Sequence, residues 1–229
     1  DEKGMLFFEM CRILRERKPK CFIAENVKGL LTANKREAFP LIIKEFEDSG
    51  YDVKYQVVHA VEFGVPQKRE RVIIVGFRKD LNVEFDFPEA VVDSPEKYVP
   101  LSKVIDSAVD DKYFFSQKAV DGMMRNRESM NKGRAQNVDE PCNTVGAHLA
   151  KVSLNSTDPV LMVDNKYRRF TPREVARIQS FPETFKLTES EHAQYKALGN
   201  AIPPVMFWYI MRSVKDSLNS EKKYESITV

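Results

Sequence analysis

Four consecutive apolar residues, Cys21 to Ala24, follow a helix-stopping Pro19 and lead straight into an acid and an amide, Glu25 and Asn26. A run with nothing polar to alternate against is the pattern of a strand covered on both faces, as in a parallel sheet. Gly29 then offers a break. In open α/β sheets ligands sit beyond the carboxyl ends of the strands, which is where this stretch delivers a carboxylate. Taken alone, Glu25 is equally readable as a solvated residue at a strand end. Upstream, Met5, Leu6, Phe8, Met10, Cys11, Ile13 and Leu14 form a broad apolar stripe at helical spacing. Arg15, Arg17 and Lys18 crowd its last turn, where cations suit the helix dipole. A helix feeding a buried strand implies an α/β fold.

Further along, Ala38 to Ser49 reads as a helix stopped by Gly50, and Tyr51 to Val61 as a strand. Phe63 to Pro66 is a turn, and Val72 to Phe77 a second buried strand. Between them lies Gln67-Lys-Arg-Glu-Arg71. Two arginines two residues apart in extended chain point to one side and are placed to face one anion or base; a solvated charge cluster is the competing reading.

From Asp80 to about Asp158 periodicity fades and turn-formers rise, with a helix only at Ser116–Met124, so a small irregular domain is expected. Arg125, Arg127, Lys132 and Arg134 lie there among Asn126, Asn131 and Gln136, a composition suited to phosphate and base-edge contacts and equally to a solvated linker. Regularity returns with Thr171, Pro172 and Glu174, a capping box with the favoured proline, whose helix runs to about Ser180. Thr188 to Glu191 repeats the capping pattern for a helix ending near Gly199. After Asn200-Ala-Ile-Pro-Pro204 an apolar helix carries Val205 to Ile210, and the tail from Glu221 is polar. The expected organisation is 1–80, 81–165, 166–220 and a flexible 221–229.

Composition narrows the function classes. The chain has 229 residues and a net charge of +2, so any basic footprint must be local. No apolar run spans a membrane and no signal peptide opens the chain. Three cysteines and three histidines, all scattered, make neither a disulfide framework nor a metal site. A reducing cytoplasm is the expected location.

Taken in order, Gly4-Met-Leu-Phe7, Glu25-Asn-Val27, Gln67-x-Arg-x-Arg71, Arg169-Phe-Thr-Pro-Arg-Glu174 and Gly199-Asn-Ala-Ile-Pro-Pro204 resemble the later motifs of the cytosine-C5 DNA methyltransferases. The variable gap before Arg169 falls where that family keeps its target recognition domain. The resemblance implies the later part of a Rossmann-like methyltransferase sheet plus a small irregular recognition domain. It implies transfer of a methyl group from S-adenosylmethionine to C5 of a flipped cytosine in double-stranded DNA. By motif match, Glu25 acts at cytosine N3, Arg71 bonds the cytosine O2, and Arg69 supports it or holds a phosphate. Gln67 braces the turn. A carboxyl surrounded by apolar sheet and a stacked base would hold its proton more readily. Leu6 and Asn200 match positions lining the cofactor pocket, with a core leucine the competing reading for Leu6. Thr144-Val145 resembles the pair that anchors recognition loops. Arg168 and Arg169 are placed to reach phosphate or to pair with acids.

The family's glycine-rich cofactor turn and Pro-Cys-Gln nucleophile motif are absent. Pro141-Cys142-Asn143 is no substitute, because it follows the acid and the arginines, whereas the family nucleophile precedes them. Cys11 and Cys21 read as core thiols. The chain therefore reads as a C-terminal methyltransferase portion, inactive alone, that joins an N-terminal half or self-associates through an exposed sheet edge. The alternatives are a non-catalytic DNA-binding module and an RNA cytosine methyltransferase of the same fold. The compact layout suggests a bacterial or phage enzyme, as in restriction–modification.

Overall fold

The computed structural model describes residues 2–125, 135–151, 158–187 and 190–225. In chain order the elements are α1 (Glu2–Arg17), β1 (Cys21–Val27), α2 (Ala38–Asp48), β2 (Tyr51–His59), β3 (Gln67–Lys68) and β4 (Glu70–Arg78). There follow α3 (Gln117–Arg125), β5 (Cys142–Asn143), β6 (Leu161–Val163), β7 (Lys166–Arg168), α4 (Pro172–Ile178), α5 (Glu191–Asn200) and α6 (Pro204–Glu225). The chain divides into two compact units, one of Asp1–His59, Glu70–Glu89 and Ile210–Val229, the other of Ala60–Arg69 and Ala90–Tyr209.

The first unit is built on a sheet of order β1-β4-β2, and both pairings are antiparallel. This corrects the expected parallel pairing. Apolar patterning reports how well a strand is covered, not which way its neighbour runs; β1 and β2 do share a direction, but β4 lies between them and opposes both. Full coverage also belongs to β4, where Val72, Ile73, Ile74, Val75 and Phe77 are buried, rather than to β1, an edge strand of this sheet with only Phe22 buried. Phe22 packs on Phe46 of α2 (ring centroids 4.5 Å apart) and on Tyr51 (5.3 Å). Its strand partner is Gly76, where a Cβ would sit 2.1 Å from the Phe22 ring, so the ring occupies the space a side chain would take.

Helix α1 buries Cys11 and Leu14 against this core. The rest of its apolar stripe is wider than the core: Leu6, Phe8 and Ile13 are exposed. The helix gives way to Lys18 in the left-handed region (φ 48°) just before Pro19. Helix α2 ends as expected, with Gly50 at φ 96°.

The second unit surrounds a core of Leu101, Cys142, Val145, Leu149, Leu161, Phe170, Val175, Ile178, Tyr195 and Leu198. Residues from the span expected to form a recognition domain thus share one core with α4 and α5, so the contacts do not follow the boundaries at 80 and 165. Strands β3 and β5 form a two-residue parallel pair. Strands β6 and β7 form a hairpin through Asp164 and Asn165, both at positive φ (48° and 61°), as a tight turn of this hand requires. Helix α4 has the full capping box: Thr171 Oγ1 accepts from the Glu174 amide, and Glu174 Oε2 accepts from the Thr171 amide. Helix α5 is capped by Ser190, which accepts from the Ala193 amide; Thr188, the cap expected from sequence, lies outside the described residues.

Candidate functional site

The register of β1 against β4 pairs Val27 with Arg71 and Glu25 with Ile73. Alternate residues of a strand share a face, so Glu25 and Arg71 lie diagonally across one face of the sheet. They meet there as an ion pair, Arg71 Nε to Glu25 Oε1 at 2.7 Å, with side-chain exposures of 13% and 24%. Arg71 also donates from NH1 to the Glu70 carbonyl at 2.7 Å. Among the described residues, no hydrogen bond involves Glu25 Oε2 or Arg71 NH2. The nearest neighbour of the carboxyl is thus a guanidinium, in place of the apolar surroundings expected above. Nearby, Lys28 Nζ lies 3.0 Å from both oxygens of Glu70, and His59 Nε2 lies 3.4 Å from Glu70 Oε1. Asn26 turns its Oδ1 back to accept from the Val27 amide.

The two arginines have different partners. The strand ladder is interrupted at Arg69, between β3 and β4, so the alternation that would aim both to one side is lost. Arg69 is buried and donates to the carbonyls of Val145 (3.2 Å), Gly199 (3.2 Å) and Ala201 (3.1 Å). These bonds tie Arg69 to backbone carbonyls of the second unit. Gln67 is also fully buried: its Oε1 accepts from the Val145 amide and its Nε2 donates to Gln179 Oε1. Thr144 donates its hydroxyl to the Lys68 carbonyl at 2.9 Å, and Lys68 pairs with Glu140 at 2.6 Å. Asn200, the last residue of α5, is exposed.

Arg168 resolves in favour of an acid partner. Its guanidinium is buried in a fork with Glu174, NH1 to Oε2 at 2.8 Å and NH2 to Oε1 at 2.7 Å, and does not face solvent where a phosphate would bind. Arg169 bonds the Ala150 carbonyl and lies over the Tyr113 ring. Arg125 closes α3, whereas Arg127 and Arg134 lie outside the described residues. Leu6 is 69% exposed, which removes the core reading and leaves its side chain accessible. Cys142 is fully buried, and desolvation pushes its thiol far above the ordinary range, as expected of an inert core cysteine. Cys11 and Cys21 are raised for the same reason.

Two residues escaped the sequence reading. Glu70 stands inside the arginine motif but gained significance only from its contacts with Lys28 and His59. Gln179 is a lone glutamine at a helix end, and no spacing marks it.

An ion-paired acid near the end of an edge strand of an antiparallel sheet, with helices packed on it, defines an α/β protein with a polar strand exit. The chain belongs to the C-5 cytosine-specific DNA methylase family, whose profile matches residues 1–216. It is 37% identical to the Type II methyltransferase M.FnuDI of Fusobacterium nucleatum, over 97% of this chain and 72% of the relative. With M1.ScrFI of Lactococcus lactis subsp. cremoris the identity is 36%, over 97% of this chain and 58% of the relative, so the chain spans little more than half of that protein. Among solved structures, the fold is similar to that of S. pombe Dnmt2 methyltransferase (TM-score 0.72, 18% identity, 93% of this chain and 70% of that one). It is also similar to a prophage-encoded E. coli methyltransferase described as putative (TM-score 0.71, 18% identity, 96% and 75%).

Proposed function

We propose that this chain is the later part of a DNA (cytosine-5-)-methyltransferase and carries the acid that prepares the base. The observation that supports the reading is the Glu25–Arg71 pair, a carboxyl group and a guanidinium in contact at 2.7 Å, with no hydrogen bond at Glu25 Oε2 or Arg71 NH2 among the described residues. Cytosine C5 is a poor nucleophile. It becomes reactive when a thiolate adds at C6 and a donor at N3 takes up the developing negative charge. Glu25 is assigned to N3, where it must carry a proton to act as the donor, and Arg71 to the O2 beside it; with the two side chains already in contact, neither has to be ordered when the base arrives. A base inside a duplex cannot reach such a pair, so the target must leave the stack.

Cys142 is too buried to supply the thiolate, which is assigned to the segment that the longer relatives carry and this chain does not match. That segment is the proposed N-terminal half, with the free edge of β1 as its place to pair. S-adenosylmethionine, when bound, supplies the methyl group. The accessible Leu6 and Asn200 fit a ligand-facing role toward it. Thr144, with Arg125, Arg127 and Arg134 from the basic stretch, is proposed to face double-stranded DNA.

The test is tritiated methyl transfer to mixed-sequence duplex DNA, by the chain alone and with a generic N-terminal half, each with Glu25→Gln as control. Activity only in the mixture, lost in the variant, supports the reading. Activity from the chain alone, or activity that survives Glu25→Gln, overturns it. A folded RNA substrate run in parallel distinguishes the RNA enzyme.

A further inference from the structure

The second unit holds a buried polar network whose members reach two candidate ligand-facing segments at once. On one side, Val145 is held by both of its backbone groups: its amide donates to Gln67 Oε1 (2.9 Å), and its carbonyl accepts from Arg69 (3.2 Å). On the other, the turn after α5 is held through Gly199 and Ala201, whose carbonyls accept from Arg69, and through Leu198, whose carbonyl accepts from Gln179 Nε2. Gln67 Nε2 to Gln179 Oε1 at 2.8 Å closes the circuit. All three side chains are buried, so water cannot replace a lost bond cheaply.

The two segments also touch directly. A Cβ at Gly199 would lie 2.2 Å from the carbonyl carbon and oxygen of Gly146 and 2.4 Å from the Ala147 amide nitrogen. No side chain fits there, and the two backbones are in contact.

We propose that Gln67, Arg69 and Gln179 are positioning residues that make Thr144–Gly146 and Gly199–Ala201 one cooperative unit, so that Thr144 and Asn200 are held or released together. The meaning of that link rests on the assignments of Thr144 to DNA and Asn200 to cofactor: ordering one segment would order the other, and each ligand would raise affinity for its fellow by the same factor. The link itself is a property of the free chain.

Amide hydrogen exchange on the 229-residue chain therefore tests it without any ligand. The reporters are the Val145 amide and the Ala201 amide, which donates to the Leu198 carbonyl. In the unaltered chain under sub-denaturing urea the two should open with populations within about threefold of each other at every urea concentration, as members of one opening unit do. Gln179→Met, which bonds neither group of Val145, should nevertheless raise opening at both amides by about tenfold or more, while the Phe181 amide changes by less than about twofold. Adding Gln67→Met to that variant should multiply opening at Ala201 by less than about threefold, because the shared network is already cut. Independent structural roles would multiply in full. Acceleration at Ala201 with Val145 unchanged, or fully multiplying effects, overturns the proposal. If the variants unfold, the urea series on the unaltered chain decides, and two amides opening with different urea dependence refute it. A failed methyl-transfer assay would leave this result standing, and a failed exchange test would leave Glu25 in place.

Discussion

The buried Arg168–Glu174 pair makes a sharp stability prediction. Glu174 is fully buried and accepts four hydrogen bonds: two from Arg168, one from the Asp106 amide (2.8 Å to Oε1) and one from the Thr171 amide (2.8 Å to Oε2). In Glu174→Gln one oxygen becomes an NH2 group that cannot accept. Whichever oxygen is replaced, one guanidinium bond and one backbone bond are lost, and the Arg168 cation is left buried without its counter-charge. Removing one partner of a buried pair costs about 3–5 kcal/mol. That is a large share of a typical stability of about 5–15 kcal/mol. With a urea slope near 2 kcal/mol/M, the midpoint should fall by about 1.5–2.5 M. The assay is equilibrium urea unfolding followed by fluorescence of Trp208, the single tryptophan, which lies in the same unit as the pair. A loss below about 1 kcal/mol would refute the reasoning, since it would mean that the fork contributes no more than a surface pair.

The same pair separates the two readings of Arg168. Arg168→Lys keeps the charge but cannot form the fork, so it should destabilise by about 1–3 kcal/mol. In Arg168→Met, which removes the charge, the salt dependence of DNA binding should keep its slope if Arg168 makes no phosphate contact; a slope reduced by about 0.9 would restore the phosphate reading.

Other consequences follow from burial and close approach. Cys142 and Tyr195 are buried and ionise in the folded chain only far above their ordinary ranges, so above about pH 9 the unfolded chain binds fewer protons than the folded one. Stability of this unit should therefore fall by about 1.4 kcal/mol per pH unit once the unfolded thiol titrates, with the tyrosine adding from about pH 10. Urea midpoints at pH 8, 9.5 and 10.5 check this, and a flat profile contradicts it. At pH 8 iodoacetamide should modify Cys142 only after urea unfolding, as peptide mass mapping would show. Gly199→Ala should cost about 1–3 kcal/mol, because its Cβ meets Gly146 backbone rather than a side chain that can swing away; an unchanged melting curve would show that the close approach relaxes freely. Thr171→Ala removes the cap on α4 and should cost about 0.5–2 kcal/mol in the same urea assay.

What sequence alone could reach here divides along physical lines. Local chemistry was legible: the capping box at Thr171 and Glu174 and the glycine stop at Gly50 depend on a few neighbouring residues, and both formed as read. Strand direction was not, because the apolar run of β1 carries no information about β4, almost fifty residues away, against which it runs antiparallel. The arginine pair shows a subtler limit. Alternation predicts a shared face only while the ladder is continuous, and here it breaks at Arg69 itself, so one arginine reaches Glu25 and the other three carbonyls far along the chain. Arg168 had two open readings, and Glu174, six residues away, decided between them. Glu174 had already been read as the capping acid, and its remaining acceptor capacity is what the arginine takes. A residue's role at a candidate site is thus set by how many bonds its partners still lack, which no single-residue pattern records. By that measure Glu25 and Arg71, paired with each other and with no hydrogen bond at Glu25 Oε2 or Arg71 NH2 among the described residues, are the pair we propose to meet the substrate.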